Sequence, residues 1–345
     1  MLKLIIILPI LLLFTAGGLA QQISLLTTGR PVSLRGLSVV NDRVLWVSGS
    51  GGTVGRSIDS GKTWIWNTVN QYKKTDFRDI EAFSEMEAVI MGITEPAVIL
   101  RTTDGGKSWT KTFEDSSKSC FLDAMDFSGE NGIVVGDPLK GKIFFAETAN
   151  RGASWNTKIP SGFDTTSTGE SFFAASGTNC LIKKEINNSD FLSYFLVSGG
   201  KKSCLYISSG PGHPGLRFPL LLDQGGETTG ANSIAINPYH ADKAVIVGGD
   251  FSHDTSRYRN AVLIHLYPFR QRIPDIPPHG YRSCVEYINN TQLICCGTSG
   301  VDFSDDSGLR WKQISGLSLH VCKKAPAGTI VYLAGTGGTV ARLQF

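Results

Sequence analysis

The chain has 345 residues, of which 39 are glycine and only 18% are charged, a balance that suits a turn-rich all-β protein with a large core. Its net charge of +3 is too weak to argue for a nucleic-acid partner. Seven cysteines, at 120, 180, 204, 284, 295, 296 and 322, show no Cys-x-x-Cys spacing, which argues against a metal centre and against a thioredoxin-like site.

The chain opens on Met1-Leu2-Lys3, then an apolar run from Leu4 to Phe14, then Gly18-Leu19-Ala20. This order of basic start, short apolar core and small residues predicts a secretory signal peptide over 1–20, with Gln21 as the mature start. The run is too short for a membrane span, and no other long apolar run follows it. The mature chain, 21–345, is therefore expected to be a single exported domain, secreted or periplasmic.

From Ser33 onward the chain repeats itself. Leu37-Ser38-Val39-Val40, Val44-Leu45-Trp46-Val47 and Val54-Gly55-Arg56-Ser57 read as three strands, and Ser57-Ile58-Asp59-Ser60-Gly61-Lys62-Thr63-Trp64 closes them with a turn. The turn returns as Thr102-Thr103-Asp104-Gly105-Gly106-Lys107-Ser108-Trp109 and as Thr148-Ala149-Asn150-Arg151-Gly152-Ala153-Ser154-Trp155. A fourth copy is Ser304-Asp305-Asp306-Ser307-Gly308-Leu309-Arg310-Trp311. Asp59 to Asp104 is 45 residues and Asp104 to Asn150 is 46. Four strands in such a period make a propeller blade. In each turn the Asp or Asn accepts backbone hydrogen bonds, the Gly at 61, 106, 152 or 308 supplies a positive φ, and the Trp is an apolar anchor between repeats.

This pattern, Ser/Thr-x-Asp-x-Gly-x-Ser/Thr-Trp, resembles the Asp-box (BNR-like) repeat. The chain looks most like exported propellers related to the photosystem II assembly factor, and more distantly like the sialidases. The resemblance implies a propeller, and it implies that the boxes are structural and lie far from any active centre. The early arginine motif of sialidases has no match, since the nearest string is Thr28-Gly29-Arg30-Pro31.

Beyond the third repeat the boxes lapse. A fourth blade is expected to start at Glu170-Ser171-Phe172-Phe173-Ala174, with Ser208-Ser209-Gly210-Pro211-Gly212 in place of a box. A fifth starts at Asn232, a sixth spans Tyr281 to about Ile314, and a seventh runs from Leu319 to Leu343. This last segment has three strands, and Ile23-Ser24-Leu25-Leu26 can supply the fourth. The reading is an all-β, seven-bladed β-propeller, with six blades as the alternative. If Asn289-Asn290 forms a two-residue hairpin, Cys284 lies opposite Cys295; a disulfide there and buried free thiols are both compatible with the sequence.

Propeller geometry gathers the starts of the innermost strands and the ends of the second strands around one mouth of the channel, the default ligand site. Aligning the first strands puts Arg35, Arg78, Leu122, Glu170, Asn232, Arg282 and His320 in one place. Asp137, Asp250, His253, Asp254 and Glu95 join from the loops after the second strands, and Tyr281 lies beside Arg282. Guanidiniums around one channel bind carboxylates and other anions by paired hydrogen bonds. The leading reading is a binding and assembly scaffold whose ligand is an anionic small molecule, a glycan or a segment of a partner protein. The alternative is a carbohydrate-active hydrolase, sialidase-like or another glycosidase, using carboxylates such as Glu170 and Asp137 at the same mouth. A polar channel lined by ion pairs is the plain structural alternative. No Gly-x-Ser-x-Gly elbow, His-Glu-x-x-His or P-loop occurs, and no catalytic residue, metal or cofactor is assigned.

Overall fold

The computed structural model describes residues 22–93, 96–184, 192–208 and 214–344. The leader-like residues 1–20, the expected mature start at Gln21, Glu95 and the segment 209–212 lie outside them. No α-helix occurs among the described residues, and no helix there is long and apolar enough to cross a membrane.

Seven antiparallel sheets form a seven-bladed β-propeller. Blade 1 is built from Leu34–Val39, Leu45–Gly49, Thr53–Ser57 and Ile65–Thr68, and blade 2 from Phe77–Ala82, Ala88–Gly92, Ala97–Thr102 and Thr110–Asp115. Blade 3 contributes Leu122–Ser128, Asn131–Leu139 and Lys142–Thr148. Blade 4 has Cys180–Lys184, Leu192–Val197, Cys204–Ser208 and Leu216–Pro219. Blade 5 has Thr229–Ile236, Lys243–Asp250, Ala261–His265 and Arg270–Arg272. Blade 6 is Cys284–Tyr287, Leu293–Gly297, Gly300–Ser304 and Lys312–Ser315. Blade 7 is Leu319–Lys324, Val331–Gly335 and Val340–Gln344, with Gln22–Thr27 antiparallel to the last of these. Each innermost strand contacts that of the next blade, and blade 7 returns to blade 1. The second strands of blades 1, 2, 6 and 7 are buried from end to end because neighbouring blades cover both of their faces, which is why they read as largely apolar runs.

The four repeated turns share one set of hydrogen bonds. In the first, the Asp59 carboxylate accepts from the Thr63 N–H at 2.9 Å and the Thr63 hydroxyl at 2.6 Å, and Ser57 Oγ accepts from the Gly61 N–H. Hydrogen bonds from the Thr63 side chain, then its backbone, hold Asp59 at about 2. Asp104 and Ser108, Asn150 and Ser154, and Asp306 and Arg310 repeat the backbone bond. The hairpins tie each blade to the one before it. Gly61 seats on Leu26, Gly106 on Trp46, Gly152 on Val89 and Gly308 on Val245. Beside them, Trp109 meets Trp46 edge-on, Trp155 meets Phe127 within the blade 2–3 core, and Trp311 is buried in the core between blades 5 and 6. Trp64 packs into the cluster that joins blades 6, 7 and 1. Large aromatic anchors of this kind are each worth about 3–5 kcal/mol when truncated.

Three sequence expectations are corrected. Glu170–Ser171 is not the inner strand of blade 4. It pairs with Gly199–Gly200, which in turn pairs with Gly230 at the edge of blade 5. The true inner strand is Cys180–Lys184. Between the two, residues 172–179 run into the axis of the propeller. Ala174, Ala175, Ser176 and Thr178 are all buried there; their small side chains fit where a strand of large ones would not.

The second correction concerns register. Inner strands carry a bulge at their start, visible as shifts at Leu34/Gly36, Phe77/Asp79, Leu122/Ala124, Ala231/Ser233 and Leu319/Val321. The bulged residue faces the channel. Blade 3 therefore presents Asp123 rather than Leu122. In blade 6, Gly297 packs on Tyr281 and Arg282 as Gly49 packs on Ser33 and Leu34. Arg282 thus stands in the buried place of Leu34, and Ser283 takes the channel position.

The third is the cysteine pairing. The hairpin of blade 6 has three loop residues, since Ile288 N–H bonds to Gln292 and Asn289 Oδ1 accepts from the N–H groups of Thr291 and Gln292. One extra residue places Cys284 opposite Cys296 and Val285 opposite Cys295. No disulfide occurs among the described residues, and all seven cysteines are buried.

Candidate functional site at the channel mouth

A half-open cavity of about 380 Å³ lies at one end of the axis. Arg35, Arg78, Asn232 and His320 reach it from the inner strands, Asp137 and Thr298 from the ends of second strands, and Tyr281 from the start of blade 6. Ser171 to Ala175 form its floor and one wall, and Phe121 and Phe251 stand at its rim. Phe251 meets Phe173 and Tyr281 edge-to-face. The wall is thus aromatic, with a few convergent polar groups.

Arg35 is tied at one nitrogen and Arg78 at two, and the remaining N–H groups of both are open. Arg35 Nη1 donates to the Ala175 carbonyl at 3.2 Å. Arg78 Nη1 donates to the Ala174 carbonyl at 3.3 Å, and its Nε meets Asp76 at 2.8 Å. Burial, and after it the like charge of Arg78, pull the Arg35 guanidinium below its ordinary value, but an arginine stays charged. Two cations therefore share one cavity.

The remaining groups are mostly neutral. His320 is buried, and its Nε2 has no hydrogen-bond partner among the described residues. Burial first, then Arg35 and Arg78, hold it down to about 3, so it is uncharged at pH 7. Asp123 is fully buried next to the cavity. Burial, then the neighbouring Asp137, push its carboxyl well above the usual range. Asp137 Oδ1 accepts from the Phe172 N–H at 2.9 Å, and burial lifts it to about 6. Tyr281 donates its hydroxyl to Asn232 Oδ1 at 2.9 Å.

Glu170, Arg282, Asp250, His253 and Asp254, which the sequence places at the mouth, do not line the cavity. Glu170 has a fully buried carboxylate that accepts from Ser198, Tyr206, the Ser167 N–H and Arg217 at 2.5–2.8 Å. It clamps blade 4 to the chain that leads to the axial segment. Arg282 is fully buried against Asp302. Asp250 turns back on its own loop, accepting from Thr228 at 2.7 Å and from Ser252, beside His253 at 2.7 Å. Burial pushes Asp250 up, but these hydrogen bonds outweigh it and hold the carboxyl well below the usual range. Among the described residues Asp137 is the one carboxylate that lines the cavity; a glycosidase pair would need two facing open space. What the sequence reading missed is the axial segment itself, Phe172 to Thr178, and Phe251. The run of small residues Ala174-Ala175-Ser176-Gly177-Thr178 was the available signal.

No family model matches the chain, and no curated protein matches it. Solved structures do. A structure described as YCF48 bound to D1 peptide aligns at a TM-score of 0.62 with 15% identity, covering 95% of this chain and 96% of that one. YCF48 from Cyanidioschyzon merolae aligns at 0.61 with 16% identity, over 93% and 98% of the two chains. The Pan2 WD40 domain of Neurospora crassa aligns at 0.58 with 13% identity, over 90% and 88%. At these identities the likeness is one of fold.

Proposed function

We propose that this propeller is a binding scaffold that captures a carboxylate-bearing segment of a partner protein at the arginine mouth. The observation that carries the reading is the pair Arg35 and Arg78, each with unused N–H donors, in a half-open cavity whose other buried ionisable groups are neutral or weakly acidic. Such donors hold a carboxylate in a geometry that lysine cannot reproduce. The YCF48 structure of like fold has a peptide bound to it, which supports a peptide over a small sugar. The four box-like hairpins, by which the chain resembles Asp-box propellers, serve as scaffold in this reading. The leader-like start supports action outside the cytoplasm, with the partner another exported or membrane protein.

The test is titration of a labelled acidic peptide. Arg35→Ala with Arg78→Ala should weaken capture by about 100-fold or more, at about 1.5–3 kcal/mol for each charged hydrogen-bonding group. Stability should fall by no more than about 1 kcal/mol, because lost bonds to the axial segment are offset by relief of like-charge repulsion. Arg35→Lys with Arg78→Lys keeps the charge and should still bind poorly. Unchanged affinity in the alanine pair, or loss of fold in step with loss of binding, would show the arginines to be structural.

Asp137 gives the site a pH dependence. Above about 6 its carboxyl is negative and repels the incoming anion; below that it is protonated and does not. Capture should therefore strengthen several-fold as pH falls from 7.5 to 5.5, a window given by that value of about 6. Asp137→Asn should bind more tightly at pH 7.5 and lose most of the dependence. Capture that weakens on acidification, or an Asn variant with the wild-type profile, would remove Asp137 from the site.

A further inference from the structure

A second cleft lies between blades 5 and 6, far from the arginine mouth. Phe251, one residue past the second strand of blade 5, lines the mouth; Lys243 begins that strand and lines the cleft. The strand between them is about 23 Å long at 3.3 Å per residue. The cleft has a volume of about 470 Å³ and mostly apolar walls. Buried Ala244, Ile264 and Tyr287 form its floor, and half-buried Leu263 and Leu309 its sides.

Two features set this junction apart from its equivalent between blades 1 and 2. There, a cavity of about 340 Å³ sets Val69, Tyr72 and Trp109 among Asn67, Thr68, Asn70, Gln71, Lys107 and Ser108, and Asn67 Nδ2 bridges it by donating to the Gly106 carbonyl at 3.2 Å. At the blade 5–6 junction the outer strand of blade 5 is only Arg270–Arg272. The hairpin of blade 6 keeps the shared turn bonds but departs from the repeat on its outside, with Leu309 where the others carry Lys62, Lys107 or Ala153. A repeat that conserves its turn and changes its outward residue to an apolar one has exchanged a solvated surface for a recess.

The rim is cationic. Lys243, His265, Arg270 and Arg272 surround the opening. Arg272 is tied to Asp275 at 2.8 Å and His265 to Asp242 at 2.9 Å. Lys243 and Arg270 are exposed and have no acidic partner among the described residues. An apolar recess with two uncommitted cations at its lip is complementary to a chain that alternates carboxylates with bulky apolar side chains. A flat lipid surface cannot place its apolar part into a recess walled by two blades, whereas an extended chain inserts single side chains.

We propose that the blade 5–6 cleft is a second docking site, for an acidic segment of a partner protein that seats an apolar side chain between Leu263 and Leu309 and sets its carboxylates on Lys243 and Arg270. This is independent of what occupies the arginine mouth. The full chain is titrated with a short labelled peptide that alternates glutamate and leucine. Saturable binding is expected to persist in the Arg35→Ala, Arg78→Ala variant, in which the mouth no longer captures acidic chains, and in that background to be weakened about tenfold by Lys243→Glu with Arg270→Glu and by Leu309→Ser. The charge-reversed variant changes only exposed side chains, so its fold should be intact by its unfolding curve. Equal binding of a lysine–leucine peptide, or indifference to both cleft variants, overturns the proposal. So does a result in which the cleft variants abolish binding to vesicles containing phosphatidylserine but leave peptide binding alone; that would assign the surface to a membrane. Loss of peptide binding in the Arg35→Ala, Arg78→Ala variant would mean the probe reports the mouth and not the cleft.

Discussion

Asp302→Ala is expected to destabilise the fold by about 3–5 kcal/mol, because it strands a buried guanidinium. Arg282 has no exposed surface. Its Nε donates to Asp302 Oδ2 at 2.6 Å, its Nη2 donates to the same oxygen, and its Nη1 donates to the Tyr281 carbonyl at 2.7 Å and Ser299 Oγ at 2.8 Å. An arginine cannot escape by losing its proton, so removing the carboxylate leaves a full charge in a dry place. Arg282→Met is the milder change, since a carboxyl, unlike a guanidinium, has a neutral form. The double variant Arg282→Met, Asp302→Leu should recover most of the loss, because a buried ion pair is seldom better than well-packed apolar groups. Urea unfolding of the three variants checks this. An Asp302→Ala loss below about 1 kcal/mol would contradict a desolvated pair. Folded Arg282 variants should bind the acidic peptide as the wild type does, which separates this arginine from Arg35 and Arg78.

Arg282 also shows where reading the chain reaches its limit. The propeller was legible because its signal repeats: the same Gly and Trp recur at one period, and each second strand is a largely apolar run. Where blades keep that regularity, a linear alignment puts Arg35, Arg78 and His320 in one place, and the structure sets them around one cavity. Blade 6 has the same three-residue hairpin and the same register as blade 1, with Arg282 in the place of Leu34, but its sequence aligns one residue off when read linearly. Side chains alternate along a strand, so a shift of one turns Arg282 from the channel into the core and moves Cys284 from Cys295 to Cys296. Blade 4 fails differently. Glu170 to Ala174 has the apolar look of a strand, but its partners are Gly199 and Gly200, far along the chain. Nothing local announces that Ala174 to Thr178 will fill an axis. The uncharged state of His320 and the raised carboxyl of Asp123 were equally hidden, since both follow from burial among neighbours drawn from other blades.

Gly177→Ala should therefore cost more than its chemistry suggests, and it should cost function as well as stability. Gly177 has φ of +69°, and an added Cβ would fall within the carboxylate of Asp79. That carboxylate cannot move aside: its oxygens accept from the N–H groups of Ile80 and Met125, both at 2.8 Å, and so join blades 2 and 3. The axial segment is held in four other directions. Ser176 Oγ donates to the Ser283 carbonyl and Thr178 Oγ1 to Ser233 Oγ, each at 2.7 Å, while Arg35 and Arg78 hold the carbonyls of Ala175 and Ala174. A side chain at 177 lifts this segment from blades 1, 2, 5 and 6 together. Because Ala174 and Ala175 are also a wall of the cavity, both arginines lose the carbonyls that orient them. Gly129 is the natural control, with φ of +67° and nothing within 4 Å of an added Cβ. Gly129→Ala should show only the left-handed backbone cost of about 1–2 kcal/mol, with peptide capture intact. Gly177→Ala should lose about 2–5 kcal/mol, since a close-packed site adds its own penalty of about 1–3 kcal/mol to that backbone cost, and capture should fall in proportion. If the two variants unfold alike and bind alike, the segment on the axis is a loose filler, and the mouth owes its shape to the inner strands alone.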